Sequence, residues 1–477
     1  MTQADIIKAA FRVWGRELYQ TTSLTQLARD LKVTKPALYR HFHNKQALLE
    51  AMYGYFFDDY AAFIKADYDR ALAAQNPVDC LLIMARSIAR YYCQNMGTFV
   101  FSLVQVYGSH EVGNMARQLE DRGVDMQKLA PRWEAVAGDL AHTGVEAGTG
   151  LYTLAEGAAY PSILQLIIVT LTFQVAHFHK DLLRRGETPS ADMVEQVVAL
   201  VEAKISGGLG FDPAVVEAIN FEELEKRLPS ESLKNFEDDE LYRAVAGVVA
   251  EAGPWNASMD MIARRSGMSK SGLYSHFENK QDMLRQFFLT EIERLLRYVE
   301  EGKKQAASPE ERLYLGIIST ADYLRSRPDI LTAMDWMRTR RLDLGVDVPQ
   351  RLHDVFAECI AGGKRIVEPD GLESAGFNGA DPLSDRLPQW IQFLIINTLM
   401  RGRFGKPLGG CLPEGGGDFS MVTNGSFRVL YRFITLGIKG SNSKYEGAEL
   451  KTDTKKRNLG SCPLKNMGPP GGSPHVF

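Results

Sequence analysis

Val33–Leu49 reads VTKPALYRHFHNKQALL, and Met268–Leu284 reads MSKSGLYSHFENKQDML. Extended outward to Ser23–Glu50 and Ser258–Arg285, the two stretches align without a gap at an offset of 235, and 12 of their 28 positions are identical. The identities include Lys35/Lys270, Leu38/Leu273, Tyr39/Tyr274, His41/His276, Phe42/Phe277, Asn44/Asn279 and Lys45/Lys280. The chain is therefore a tandem duplication, and each half is read as a unit.

Within the first copy, Ser23 is placed to cap a helix, with Gln26 reaching back. That helix buries Leu24, Leu27, Ala28 and Leu31. After a turn at Lys32-Val33, Thr34 caps a second helix, and Pro36 sits in its first turn, where a missing N–H is harmless. Leu38 and Phe42, four apart, point inward, so the outer face carries Lys35, Ala37, Tyr39, Arg40 and His41. Two short helices joined by a tight turn, the second bearing a basic and aromatic outer face, predict a helix-turn-helix.

Working outward, apolar residues at helical spacing precede each copy at Asp5–Trp14 and Asp239–Ala250. Near the end of each half an apolar helix is followed by an amphipathic one: about Ala159–His177 and Ser190–Ile205, then about Leu387–Leu399 and Ser420–Ile434. Strand-like alternation is scarce, and the fold class expected is all-α. A Gly207–Gly210 stop and a short acidic helix at Val215–Lys226 mark the junction of the halves. Gly, Ser, Lys, Asn and Pro dominate beyond Gly440 and predict a disordered tail, native or appended.

Composition narrows the function. A net charge of −4 over 477 residues excludes a uniformly basic nucleic-acid coat, so charge is read by segment. Five scattered cysteines fit free thiols in a reducing cytoplasm better than a disulfide framework. The N-terminus lacks the apolar stretch of a signal peptide. The most apolar segment, Ser162–Phe178, is interrupted by Gln165, Thr170, Thr172 and Gln174, and is expected to be a buried helix, with no membrane partner. No phosphate-cradling glycine loop, zinc-protease helix or nucleophile elbow occurs, and the Gly409–Gly417 stretch follows no strand, so neither an enzyme nor a cofactor is expected. His177 and His179, two apart on a helix, do not face a common metal ion.

The pattern L-Y-x-H-F-x-N-K, present twice, resembles the DNA-binding module of the TetR (tetracycline-repressor) family. The resemblance implies two tandem TetR-like units, each a three-helix helix-turn-helix module followed by a helical ligand-binding and dimerisation domain. The implied boundaries are 1–50 and 51–206 for the first unit, 207–236 for a linker, 237–286 and 287–439 for the second, and 440–477 for the tail. It further implies that Lys35, Pro36, Ala37 and Arg40, with Thr25, face base edges in the first half, and Lys270, Ser271, Gly272 and Ser275 in the second. Tyr39, His41 and Lys45, and equally Tyr274, His276 and Lys280, would bind phosphates. Each also has a plain structural reading: the tyrosines as lids on the module core, the histidines as half-buried neighbours of Phe, the lysines as solvated charges.

The copies differ. Arg29, Lys32, Lys35, Arg40 and Lys45 against Asp30 and Glu50 leave the first at +3; Arg264, Arg265, Lys270, Lys280 and Arg285 against Asp260, Glu278 and Asp282 leave the second at +2. Asp260 stands where the first copy has Thr25, and Glu278 where it has His43. Weaker DNA binding by the second module is expected. In the first, Lys32 occupies a turn position held by Gly267 in the second, at a cost on the order of 1 kcal/mol for a left-handed lysine.

The function implied is a sequence-specific, ligand-responsive transcription regulator, a repressor as is usual in the family. It would act in the cytoplasm on double-stranded DNA with an unidentified small-molecule effector. The two halves would pair within one chain on an asymmetric operator, as against pairing between chains in a homodimer. A connecting helix at about Gln46–Asp59 would carry the ligand signal. Tyr91, Tyr92, Phe99, Phe101, Tyr107, Trp133 and Trp336 are candidates for a ligand pocket or for plain core. The rival reading is a sensing or interaction scaffold in which the first module alone binds DNA.

Overall fold

The computed structural model describes residues 2–14, 23–103, 112–133, 136, 156–229, 240–333, 355–357, 359–360, 386–404 and 422–439. Among these, every extended element is a helix and no strand occurs. Tyr107, Trp336, the Gly409–Gly417 stretch, residues 230–236 of the linker and the 440–477 tail lie outside the described residues.

Helix α1 (Gln3–Trp14) opens on a reciprocal cap, in which Thr2 N–H donates to Asp5 Oδ2 at 2.7 Å and Asp5 N–H to Thr2 Oγ1 at 3.2 Å. Helix α2 (Leu24–Asp30) is capped by Ser23, and α3 (Lys35–Tyr39) by Thr34, whose hydroxyls accept from Gln26 and Ala37 N–H. Helix α4 (Lys45–Ala73) starts at Asn44, which accepts from Ala47 N–H at 2.7 Å. Ile6, Ala10, Leu27, Leu38, Phe42 and Leu48 close one small core beneath these starts. Between α2 and α3, Lys32 has φ +54, the one positive value among described non-glycine residues; Gly267 adopts φ +69 at the matching turn. The expected left-handed lysine is found.

The connecting helix α4 is longer than the Gln46–Asp59 segment expected. Its buried face continues through Tyr60, Ile64, Tyr68 and Ala71, packed on α5 (Pro77–Gln94), so nothing ends it before Ala73. Helix α6 (Met96–Phe101) lies against α1, where Phe101 meets Phe11 edge-on with centroids 5.1 Å apart. Beyond α7 (Val112–Glu120), the long α8 (Glu156–Arg185) and α9 (Ala191–Gly207) complete the first half and pack on α5. Ile163–Arg185 is long and apolar enough to cross a membrane, yet 61% of its apolar window is buried inside the protein.

The junction holds two helices, not the single one expected over Val215–Lys226. Asp212 caps α10 (Pro213–Glu217), and Asn220 interrupts to cap α11 (Phe221–Lys226). The second half then repeats the first: α12 (Glu240–Asn256), α13 (Met259–Ser266), α14 (Lys270–His276), α15 (Lys280–Lys303) and α16 (Pro309–Ser326), with Ser258, Ser269, Asn279 and Ser308 as caps. It ends in α17 (Leu387–Phe404) and α18 (Asn424–Leu436).

The junction is docked, not slack. Phe221 packs edge-on against Tyr314 and Tyr431. Glu225 accepts from Arg428 Nε at 2.8 Å and Nη2 at 2.9 Å, from Tyr314 Oη at 2.5 Å and from Asn424 Nδ2 at 3.0 Å. Burial opposes ionisation of this carboxyl, but those donors outweigh it and hold the pKa below the ordinary glutamate range.

The final helices of the two halves meet each other. Helix α8 packs on α17 and α18, and α9 on α18. Trp390 Nε1 donates to Thr170 Oγ1 at 3.1 Å, Gln165 Nε2 to the Asn397 carbonyl, and Arg386 to Asp181 at 2.8 Å. At the helix ends the exchange is reciprocal: Leu209 N–H donates to the Ile434 carbonyl at 2.7 Å and Ile438 N–H to the Ile205 carbonyl at 2.9 Å. Gly208 (φ +57) and Gly437 (φ +62) sit at this crossing, where a Cβ on either would collide with the backbone opposite. Matching positions thus touch matching positions, as across a two-fold axis.

Candidate nucleic-acid interface

The turn and caps described above fix α3 and α14 with one side inward and the other in solvent. Leu38 and Phe42, and their counterparts Leu273 and Phe277, are buried. Tyr39 is 41% exposed and Tyr274 49%, two of the four large apolar side chains exposed among the described residues. Neither tyrosine closes the module core, since that position belongs to Phe42 and Phe277.

Around Tyr39, the side chains of Thr25, Lys35, Pro36 and Arg40 are exposed, while Ala37, His41 and Lys45 are half-buried. Lys35 Nζ stands 5.7 Å from the Tyr39 ring centroid, and no carboxylate among the described residues is paired with it. Partial burial draws the Lys45 pKa below the ordinary lysine value. Around Tyr274, Lys270, Ser271, Ser275 and His276 are exposed, and Gly272 and Lys280 half-buried. These residues lie on α3 and α14, just after α3, and at the starts of α4 and α15, with Thr25 on α2.

The surfaces differ in charge placement. Lys270 Nζ lies 3.0 Å from Asp260 Oδ1 and 3.2 Å from Oδ2, a hydrogen-bonded pair that raises the Lys270 pKa. Ser275, at the place of Arg40, turns its hydroxyl back to the Gly272 carbonyl at 2.6 Å. Arg265 is tied to Glu251 at 2.6 Å. Asp260, which stands where the first copy has Thr25, is the partner of Lys270.

Sequence reasoning did not assign the repeated asparagines. Asn44 and Asn279 cap α4 and α15 at the residue before Lys45 and Lys280, and an Asn immediately ahead of a helical run is the available signal. It also missed a buried ionic cluster in the second half. Glu291, 2% exposed, accepts from Arg294 at 2.8 Å, Tyr323 at 3.0 Å and Arg327 at 3.2 Å. No spacing rule marks a glutamate on a long helix as buried.

The first-half aromatics Tyr91, Tyr92, Phe99, Phe101 and Trp133 are all buried. Tyr60 and Tyr91 stand 4.9 Å apart, and Tyr91 Oη donates to Asp59 at 2.9 Å, so burial and that carboxylate push its pKa up. His179 Nε2 contacts the Tyr92 carbonyl at 2.7 Å, and His177 Nδ1 the Phe173 carbonyl at 2.8 Å. Burial takes the His177 pKa down to about 4. Among the described residues no group of His, Cys, Asp and Glu side chains is arranged to hold a metal ion.

Residues 6–52 and again 241–287 match the family model described as bacterial regulatory proteins, tetR family. An uncharacterised HTH-type transcriptional regulator of Mycobacterium tuberculosis (strain H37Rv) is 24% identical over 163 residues, covering 34% of this chain and 74% of that protein. The fatty acid metabolism regulator protein of Bacillus subtilis (strain 168) is 30% identical over 117 residues, 24% of this chain and 59% of that protein. A solved transcriptional regulator from Bacillus subtilis in complex with stearoyl-CoA superposes with a TM-score of 0.31 and 18% identity, over 42% of this chain and 97% of that one.

Proposed function

Because the chain is a DNA-binding transcription regulator of the tetR family, with one helix-turn-helix module in each half, we propose that it works as a single-chain pseudodimer. One molecule holds two unlike recognition helices against two half-sites of one asymmetric operator, acting in the cytoplasm as a ligand-responsive repressor. The observation that carries this reading is the reciprocal exchange between 205–211 and 434–439, which uses the end-helix faces within one chain. Family dimers read palindromes through a two-fold axis, and two different modules on such an axis read an asymmetric site.

Phosphate contact falls to Tyr39, His41, Lys45, Tyr274, His276 and Lys280, and base-edge contact to Thr25, Lys35, Pro36, Ala37, Arg40, Lys270, Ser271, Gly272 and Ser275. Ligand response is supported by continuity: α4 and α15 begin at DNA-facing lysines and run into the helical cores, and Phe101 couples α6 to α1. A small molecule that favours one core packing shifts the spacing of the modules and lowers affinity without touching a base contact.

Footprinting tests the reading. Two protected half-sites are expected, one lost with Tyr39→Ala and the other with Tyr274→Ala. The Asp260–Lys270 pair favours a second reading, in which the first module alone engages DNA; a single protected half-site would decide for it.

A further inference from the structure

On the reading that both modules engage DNA, we infer that the Asp260–Lys270 pair is a base-pair reader that makes the second recognition helix select a C·G pair. Asp260 lies in the first turn of α13 and Lys270 in the first turn of α14, and both side chains are more than half exposed. Both carboxylate oxygens lie within 3.2 Å of one ammonium. That leaves the carboxylate with outward acceptor sites and the ammonium with donors to spare. The neighbouring side chains are short: Ser271, Gly272, and Ser275, whose hydroxyl is turned onto the helix backbone. The ion pair is therefore not covered by its neighbours on the first turn, and Tyr274 stands exposed one turn further on.

Its pattern is an acceptor beside a donor. In the major groove a C·G pair presents the complement, the cytosine N4 amino donor beside the guanine O6 acceptor. Adenine also offers an amino donor, but its N7 acceptor lies on the same edge and repels a carboxylate. The first module has Thr25 at the aligned position, so Lys35 carries no such restriction and serves equally on guanine or phosphate. The pair is also neutral, so the second module releases about one counter-ion fewer than a lysine alone would.

The test is a single-base scan of the second half-site by gel-shift titration with the full chain, its Asp260→Thr and Asp260→Asn variants, and Thr25→Asp. The wild type is expected to prefer C·G at one position by about tenfold. Asp260→Thr should erase that preference by raising affinity for the sites without C·G, and steepen the log–log salt dependence by about one. Asp260→Asn should move the preference to adenine, and Thr25→Asp should impose a new cytosine preference on the first half-site. An unchanged scan in Asp260→Thr, or no preference in the wild type while Tyr274→Ala still weakens binding, overturns the inference. If Tyr274→Ala changes nothing, the two-module reading itself fails, and this inference with it.

Discussion

Replacing Lys204 with methionine should stabilise the protein near neutral pH, although it removes a charge that stacks on an aromatic ring. Lys204 lies on α9, is 1% exposed, and places its ammonium 5.0 Å from the Trp390 centroid with no hydrogen-bond partner among the described residues. Burial first, and the nearby Arg386 guanidinium second, bring its pKa from 10.5 to about 7. Arg386 is itself held by Asp181, and that carboxylate is thereby engaged. Each pH unit between the two values corresponds to about 1.4 kcal/mol, so the folded state carries a burden of about 4 to 5 kcal/mol at pH 6.5. Attraction to the tryptophan face offsets about 1 to 2 kcal/mol of this.

The sign is fixed by proton counting. Between pH 7 and 10.5 the unfolded chain binds the extra proton, so wild-type stability gains from this residue as pH rises and loses as pH falls. Lys204→Met keeps the apolar stem and has no such dependence. Urea unfolding followed by tryptophan fluorescence should show the variant more stable by about 3 kcal/mol at pH 6.5, with the gap closing toward pH 10. Parallel pH profiles for the two proteins, or a less stable variant at pH 6.5, would refute the reasoning.

Other substitutions probe the local argument. Lys32→Gly relieves a left-handed lysine and should raise stability by several tenths of a kcal/mol up to about 1, read from the melting temperature. Asn44→Ala removes the α4 cap and should cost about 1 kcal/mol, with faster amide exchange at the start of that helix. Glu225→Ala leaves Arg428 largely buried without its bidentate partner and should destabilise by about 3 kcal/mol or more, while proteolysis begins to cut within 213–229. Unchanged cleavage there would mean that the junction holds without Glu225.

Much of each module is legible in the sequence because its determinants are local. Leu38 and Phe42 sit four apart, Ser23 and Thr34 stand at helix starts, and a lysine aligned with Gly267 announces a left-handed turn. The apolar helices at the end of each half are equally readable from periodicity. Long-range meetings are not. Nothing near Trp390 in sequence points to Thr170, and no local pattern marks Lys204 or Glu291 as buried charges. The junction reads as a linker with a short acidic helix because its anchors, Phe221 and Glu225, find their partners about 90 and 200 residues further along the chain. Asp260 and Lys270 are ten residues apart on different helices, and their contact depends on the turn that folds one beside the other.

Light scattering of the purified chain, alone and with a stoichiometric duplex carrying both half-sites, tests intrachain pairing most directly. The account predicts a 53.2 kDa particle in solution and one chain per duplex when both half-sites are occupied. A stable species of twice that mass, or two chains on each fully protected duplex, would contradict it.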